Sequence, residues 1–178
     1  FWGYSDLTTI LNAIYAKTGQ TGVLYQIRNV LYKERKQQMT DVRDVLCEGG
    51  DALYRIDYHY VQGTEMHGII VGGNIRCFLK LSGTAYMPDL NGKILLLESR
   101  SGTVARMETY LSQLQQIGAF EQIVGILLGT FTEMEAKQCM PDIVQLVKKY
   151  VRKTMPIAVT KQIGHGTDAK GIVIGGEL

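Results

Sequence analysis

Apolar residues recur along this chain at two spacings, and the two alternate. Leu7, Ile10, Leu11 and Ile14 keep helical spacing, which predicts a helix over 6–17 with one apolar stripe and Gly19 as its stop. Residues 22–40 show no clear period. Asp41 to Cys47 reads as a short helix capped by Thr40 and ended by Gly49 and Gly50, and Ala52 to Tyr60 as a strand or hairpin arm. Gly68 to Val71 is a short buried strand that stops at Gly72, Gly73 and Asn74; Ile75 to Leu81 follows as a helix. From Lys93 the pattern is regular. Ile94–Leu97 is an apolar strand ending in Glu98, and 103–117 is a helix with Val104, Met107, Leu111 and Leu114 on one face. Ile123 to Leu128 is a strand, 142–153 a helix with Pro141 near its first position, Pro156–Val159 a strand and Ile172–Ile174 a last one. Strands that are apolar throughout and alternate with helices predict an α/β fold with a sheet covered on both faces.

Composition adds little to that picture. With 46% apolar residues the 178-residue chain has enough for a core, and 19 basic against 17 acidic side chains leave no nucleic-acid footprint. The basic clusters Lys33 to Lys36 and Lys148 to Lys153 read as solvated helix faces. Cys47, Cys77 and Cys139 are odd in number and widely spaced, which fits reduced core thiols in a cytoplasmic protein. No pair of them has metal-ligand spacing, and none of the 3 histidines has a ligand partner at a recognisable spacing, so neither a metal nor another cofactor is expected. No apolar run is long enough to cross a bilayer.

The candidate chemistry starts at Ser5. Gly3 two residues earlier permits a tight strand-to-helix turn that lifts the hydroxyl out of the backbone, as in a nucleophile elbow. A helix behind it aims free N–H groups at negative charge beside that hydroxyl. Ser and Asp are also common helix N-caps, so a plain cap is the competing reading. In open α/β sheets ligands lie outside the carboxyl ends of the strands. Glu98, the Gly72-Gly73-Asn74 turn and His165 between two glycines all fall at such ends. A carboxylate directly after four aliphatic residues is expensive unless partnered, though it could also turn to solvent or cap the next helix. Together Ser5, His165 and Glu98 could form a hydrolytic triad: attacking group, proton acceptor and orienting carboxylate.

Several ordered motifs then point one way. Gly3-Tyr4-Ser5-Asp6-Leu7-Thr8 and Ala13 to Gly19 resemble the elbow region of the LD-carboxypeptidase family of serine peptidases, which covers muramoyltetrapeptide carboxypeptidases and microcin C immunity proteins. Gly72-Gly73-Asn74, Leu81 to Thr84, Lys93 to Glu98 and Gly164-His165-Gly166 resemble the family's later motifs in the same order. The resemblance implies Ser5, Glu98 and His165 as the triad, the backbone N–H of Asp6 as one oxyanion donor and Asn74 as a substrate contact. It implies a swivelling-type C-terminal α/β domain at 41–178, with 1–40 the tail end of an N-terminal α/β domain that carries the elbow and a linker. The strand that holds Ser5 and a second oxyanion donor are then expected upstream of Phe1.

On that resemblance the expected activity is a cytoplasmic serine carboxypeptidase that cleaves an L,D amide, releasing terminal D-Ala from murein tetrapeptide in peptidoglycan recycling. The alternative is a self-immunity hydrolase that cleaves a peptidyl- or aminoacyl-nucleotide antibiotic. The only tryptophan, Trp2, lies next to the elbow rather than in the second domain, which disfavours a nucleotide-stacking platform there. A third reading is a non-catalytic binding module. The expected partner is a small peptide substrate, without nucleic acid or membrane, and the family resemblance suggests a homodimer. Ser5 is expected to reach His165 only when the rest of the N-terminal domain is present.

Overall fold

Alternation along the buried strand Lys93–Ser99 sorts most of the core onto two faces, while Val23, Tyr25 and Leu53 form a small third cluster. The computed structural model describes residues 1–178. In chain order it holds β1 (Trp2–Gly3), a 3-10 turn (Ser5–Leu7), α1 (Thr8–Thr18), β2 (Gly22–Leu24), a second 3-10 turn (Ile27–Leu31) and α2 (Arg35–Arg43), which runs into a π turn (Asp44–Glu48). Then come β3 (His59–Gln62), β4 (Ile69–Asn74), α3 (Ile75–Leu79), β5 (Lys93–Ser99), α4 (Val104–Gln116), α5 (Ala119–Gln122), β6 (Gly125–Phe131), α6 (Thr132–Ala136), α7 (Ile143–Lys148), β7 (Ile157–Val159) and β8 (Ile172–Ile174). A five-stranded sheet has the order β3-β7-β6-β5-β4, and a three-stranded sheet the order β1-β2-β8. Within the larger sheet β4, β5, β6 and β7 are parallel, and β3 is an antiparallel edge on β7.

Leu95 and Leu97 of β5 point to one face, where α3, α4, α5 and α7 supply Phe78, Leu111, Phe120 and Leu146. Ile94 and Leu96 point to the other, against Leu11 of α1, Leu24 of β2 and Ile172 and Ile174 of β8. The predicted α/β sheet covered on both faces is therefore what forms. Each fully buried aliphatic side chain contributes about 1.5–3 kcal/mol. The chain leaving β8 closes the free edge of β4: Gly175 N–H donates to Ile70 C=O and Ile70 N–H to Gly176 C=O, both at 2.8 Å. Because β4, β5, β6 and β7 are parallel, their carboxyl ends share one end of the sheet, and Asn74 pairs with Glu98 there.

Several local expectations are corrected. Of the predicted stripe only Leu11 is buried: Leu7 is 42% and Ile10 53% exposed, and the buried face is completed by Thr8 and Asn12. The helix expected from Asp41 starts at Arg35, and Thr40 lies inside it, its hydroxyl donating to Lys36 C=O at 2.9 Å. No apolar period marked this helix because its buried face is polar. Gln38 accepts from the Tyr25 hydroxyl at 2.5 Å and Asp41 from Lys170 Nζ at 2.6 Å. Little of the strand expected at 52–60 forms: 52–54 is a turn, with Tyr54 and Arg55 N–H both donating to Asp51 C=O, 55–58 is irregular, and the strand is His59–Gln62. The β4 strand runs through Gly72 and Gly73 to Asn74 instead of stopping before them. Asp142 caps α7 in a reciprocal box with Gln145, so Pro141 falls before the cap rather than at the first helical position, and the helix expected to reach 153 ends at Lys148.

Candidate active site

Ser5 opens the first 3-10 turn, on the sharp bend that follows β1. Tyr4 is extended, at φ −149° and ψ 148°, and Ser5 then adopts φ 50°, a left-handed conformation unfavourable for any residue with a Cβ. Gly3 makes the turn possible by packing: a Cβ there would lie 2.7 Å from Leu7 Cβ. The strand before the turn is tied to β2 on both sides of Trp2. Val23 N–H donates to Phe1 C=O at 2.7 Å and Tyr25 N–H to Gly3 C=O at 2.8 Å, and β2 is in turn paired with β8.

The helix behind Ser5 is fastened to the main sheet by polar groups. Asn12 is fully buried; its Nδ2 donates to Gly72 C=O and its Oδ1 accepts from Gly72 N–H, both at 2.8 Å. Asn74 N–H donates to Thr8 Oγ1 at 3.1 Å, and Thr9 Oγ1 donates to Cys77 C=O at 2.8 Å. These contacts, with the β1–β2 ladder, set Ser5 against the carboxyl edge of the sheet.

On that edge Glu98 and His165 meet. His165 Nδ1 lies 2.8 Å from Glu98 Oε2, and His165 Nε2 lies 3.3 Å from Ser5 Oγ. The Glu98 and His165 side chains are only 3% and 5% exposed, so the carboxylate is partnered and not turned to solvent. An ionised carboxylate can only accept, so Nδ1 carries the ring proton and Nε2 is left to accept from the serine hydroxyl. The expectation that Ser5 reaches His165 only with a further domain in place is thus overturned by the short ladder that holds β1. The histidine loop is seated on β6: Thr130 N–H donates to Ile163 C=O at 2.8 Å. Gly164, at φ 140°, passes so close that a Cβ would stand 1.9 Å from Thr130 Oγ1.

The remaining predicted residues divide. Asp6 lies in the first 3-10 turn, whose first hydrogen bond runs from Leu7 N–H to Tyr4 C=O, so the Asp6 N–H stands ahead of the ladder. Its carboxylate accepts from Cys77 Sγ at 3.0 Å and pairs with Arg76 at 2.7 Å. The Cys77 thiol and then Arg76 hold this carboxyl below its ordinary value. Asn74 is 5% exposed and its Oδ1 accepts from Cys77 N–H at 3.4 Å, capping α3.

A cavity of about 430 Å³ opens beside Ser5 and His165, lined also by Trp2, Tyr4, Leu7, Tyr25, Ile27, Arg28 and Arg100. Asn74 is not part of that lining. Trp2 packs edge-on against Tyr25 at 5.8 Å between ring centroids, so the tryptophan set aside as misplaced belongs to the cleft. The Tyr4 ring leans on His165 at 4.8 Å. Burial pushes the Tyr4 phenol well up, the Glu98 charge adds to this, and Arg100 and Arg28 oppose it. Trp2, Tyr4, Tyr25, Arg28 and Arg100 carry no periodic or motif signal of their own; only their neighbourhood to Ser5 or Glu98 in sequence could have pointed to Tyr4 and Arg100. No helix is long and apolar enough to cross a membrane.

Known proteins share this arrangement of elements. A protein of Treponema pallidum (strain Nichols) named as a carboxypeptidase is 29% identical over 204 residues, covering 99% of this chain and 59% of that one. The solved structure of MccF in complex with glutamyl sulfamoyl guanosine superposes with a TM-score of 0.80 at 17% identity, over 99% of this chain and 62% of its own. Muramoyltetrapeptide carboxypeptidase from Oxalobacter formigenes superposes with a TM-score of 0.75 at 19% identity, over 99% and 63%. At those identities the two structures speak to fold. The chain therefore spans about three fifths of the length of these relatives. Residues 67–178 match the LD-carboxypeptidase C-terminal domain, and the chain belongs to that peptidase family.

Proposed function

We propose that this chain carries the reactive centre of a serine carboxypeptidase that hydrolyses an L,D amide, releasing terminal D-Ala from murein tetrapeptide. The observation that carries the reading is the two-bond relay from Glu98 through His165 to a strained Ser5. Ser5 Oγ attacks the carbonyl carbon of the L-residue as its proton passes to His165 Nε2. Glu98 holds the imidazole in the accepting tautomer and faces the imidazolium that forms. The oxyanion meets the Asp6 N–H; one such donor is worth roughly 10²–10³ in rate. His165 then gives the proton to the departing amine as the C–N bond breaks, leaving an acyl ester on Ser5. Water attacks the ester as His165 takes its proton, and His165 returns that proton to Ser5 Oγ as the acyl C–O bond breaks and the shortened peptide acid leaves.

In this reading 1–40 supply the elbow and 41–178 supply Glu98 and His165. The protein acts in the cytoplasm as a homodimer, which fractionation and sedimentation test. A binding module without catalysis has no need of a strained serine hydrogen-bonded to an oriented imidazole. The deciding experiment is D-Ala release from murein tetrapeptide by the full-length protein and by its Ser5→Ala variant. Release that falls by several orders of magnitude in the variant supports the reading; equal release by both overturns it.

One observation favours a second reading. Trp2 and Tyr25 line the cleft with Arg28 and Arg100, which supplies aromatic surface and cations for a peptidyl-nucleotide. MccF has been solved with glutamyl sulfamoyl guanosine, an aminoacyl-nucleoside compound. Competition between a murein tetrapeptide and an aminoacyl sulfamoyl nucleoside for one preparation separates the two substrates.

A further inference from the structure

The cleft beside Ser5 has one sign of charge. Its lining contains no Asp or Glu, and its fixed charges are the guanidiniums of Arg28 and Arg100. Neither arginine takes part in any of the ion pairs of the protein. Arg28 has a neutral neighbour, its guanidinium standing 5.4 Å from the centre of the Tyr32 ring. Two cations outside any ion pair, in the cavity that Ser5 also lines and walled by Trp2, Leu7, Tyr25 and Ile27, describe a site for an anion with an apolar body.

We propose that Arg100, assisted by Arg28, binds the terminal α-carboxylate of the peptide and so makes the site read chain ends. This rests on the hydrolase reading and deepens it by naming what selects the substrate.

Arg100 is the better placed of the two. It follows Glu98 by two residues at the end of β5, so the strand that sets the orienting carboxylate also sets the guanidinium. Its own carbonyl accepts from Glu133 N–H at 3.1 Å, which fixes the backbone from which it projects. Both arginines act electrostatically on the phenol of Tyr4, the residue directly before Ser5. In a carboxypeptidase the terminal carboxylate stands one residue beyond the bond cut, within about 3.8 Å of chain. A guanidinium fork pairs with such a carboxylate through two parallel bonds, which lysine does not reproduce. The apolar wall leaves the Cα and side chain of the last residue in contact with carbon while its charge is met.

The test separates binding from turnover. In the full-length protein carrying Ser5→Ala, the affinity for an L,D tetrapeptide is compared with that for the same peptide ending in a carboxamide. The free acid is expected to bind about 10- to 100-fold more tightly, the range for a hydrogen-bonded charge. Adding Arg100→Gln should abolish most of that preference while leaving carboxamide binding alone, and Arg28→Gln should remove a smaller part. Arg100 is exposed, so its replacement is not expected to disturb folding, and a thermal melt of each variant checks this. Equal affinity for acid and carboxamide, or a preference that survives Arg100→Gln, overturns the proposal. Adenosine monophosphate bound more tightly than the tetrapeptide, through the same arginines, overturns the carboxylate in favour of a phosphate. If the protein with Ser5 intact hydrolyses nothing while Ser5→Ala retains an Arg100-dependent preference for acids, the hydrolase reading fails and the anion site stands.

Discussion

Asn12 and Gly72 exchange two hydrogen bonds, each of 2.8 Å, between a helix side chain and the backbone of a strand. This joint fastens the elbow helix to the sheet edge that carries Glu98. A strand passing through glycine there offers its N–H and C=O to one side chain, and an amide carries a separate donor and acceptor that meet both. Asn12→Ala leaves both Gly72 groups buried and unpaired. We expect a loss of about 2–4 kcal/mol in urea denaturation, with reduced turnover as Ser5 drifts from His165. A loss below about 0.5 kcal/mol, the range of an ordinary surface change, would show that α1 is held by packing alone.

Glu98→Gln keeps the size of the side chain and removes its charge. The amide can present N–H to His165 Nδ1, which favours the tautomer with the proton on Nε2, where it no longer accepts from Ser5. Turnover should fall by about 10³–10⁴, with KM little changed because Glu98 lies behind the imidazole and outside the cavity lining. A tenfold or smaller loss in kcat would remove Glu98 from the proposed mechanism.

Cys77 is fully buried and its Sγ donates to Asp6 at 3.0 Å. Burial and then the Asp6 contact push its thiol from 9.0 to about 11. A raised thiol means the folded state retains a proton that the unfolded chain has lost. Stability from this contact is therefore full below pH 9.0 and declines as pH rises toward about 11. Asp6 runs the opposite way: its lowered carboxyl gives stability that is present above 3.8 and lost on further acidification. At pH 8 Cys77 is held as the thiol. A thiol-disulfide reagent should modify exposed Cys47 quickly and Cys77 only on unfolding. Equally fast reaction at both would contradict the buried thiol.

The contacts of the candidate site were legible where one residue had to satisfy a general rule. Glu98 after four aliphatic residues needed a partner, and His165 between glycines could approach it. The cleft wall was not legible, because Trp2, Tyr25 and Arg28 are brought there by pairing between two strands of two and three residues. Ladders that short leave no hydrophobic period. The same limit explains α1 and α2. A sequence stripe names the apolar face, but Asn12, Gln38 and Asp41 bury polar faces through partners distant in sequence.

The strain at Ser5 yields a prediction that separates folding from chemistry. A residue with a Cβ in the left-handed region costs about 1–2 kcal/mol relative to the right-handed one. Ser5, at φ 50°, bears that cost, and Ser5→Ala keeps it because alanine also has a Cβ. Ser5→Gly removes it and gives back about 0.5–1 kcal/mol through the greater freedom of glycine in the unfolded chain. The Ser5 hydroxyl contributes one weak bond to His165 at 3.3 Å, lost equally in both variants. Ser5→Gly should therefore be more stable than Ser5→Ala by about 0.5–1 kcal/mol, while both are inactive. Paired denaturation curves in urea read this difference directly. If the alanine variant is the more stable of the two, the turn relaxes when the hydroxyl is removed, and the left-handed geometry is imposed by the Ser5–His165 contact rather than by the β1 ladder and the packing of Gly3.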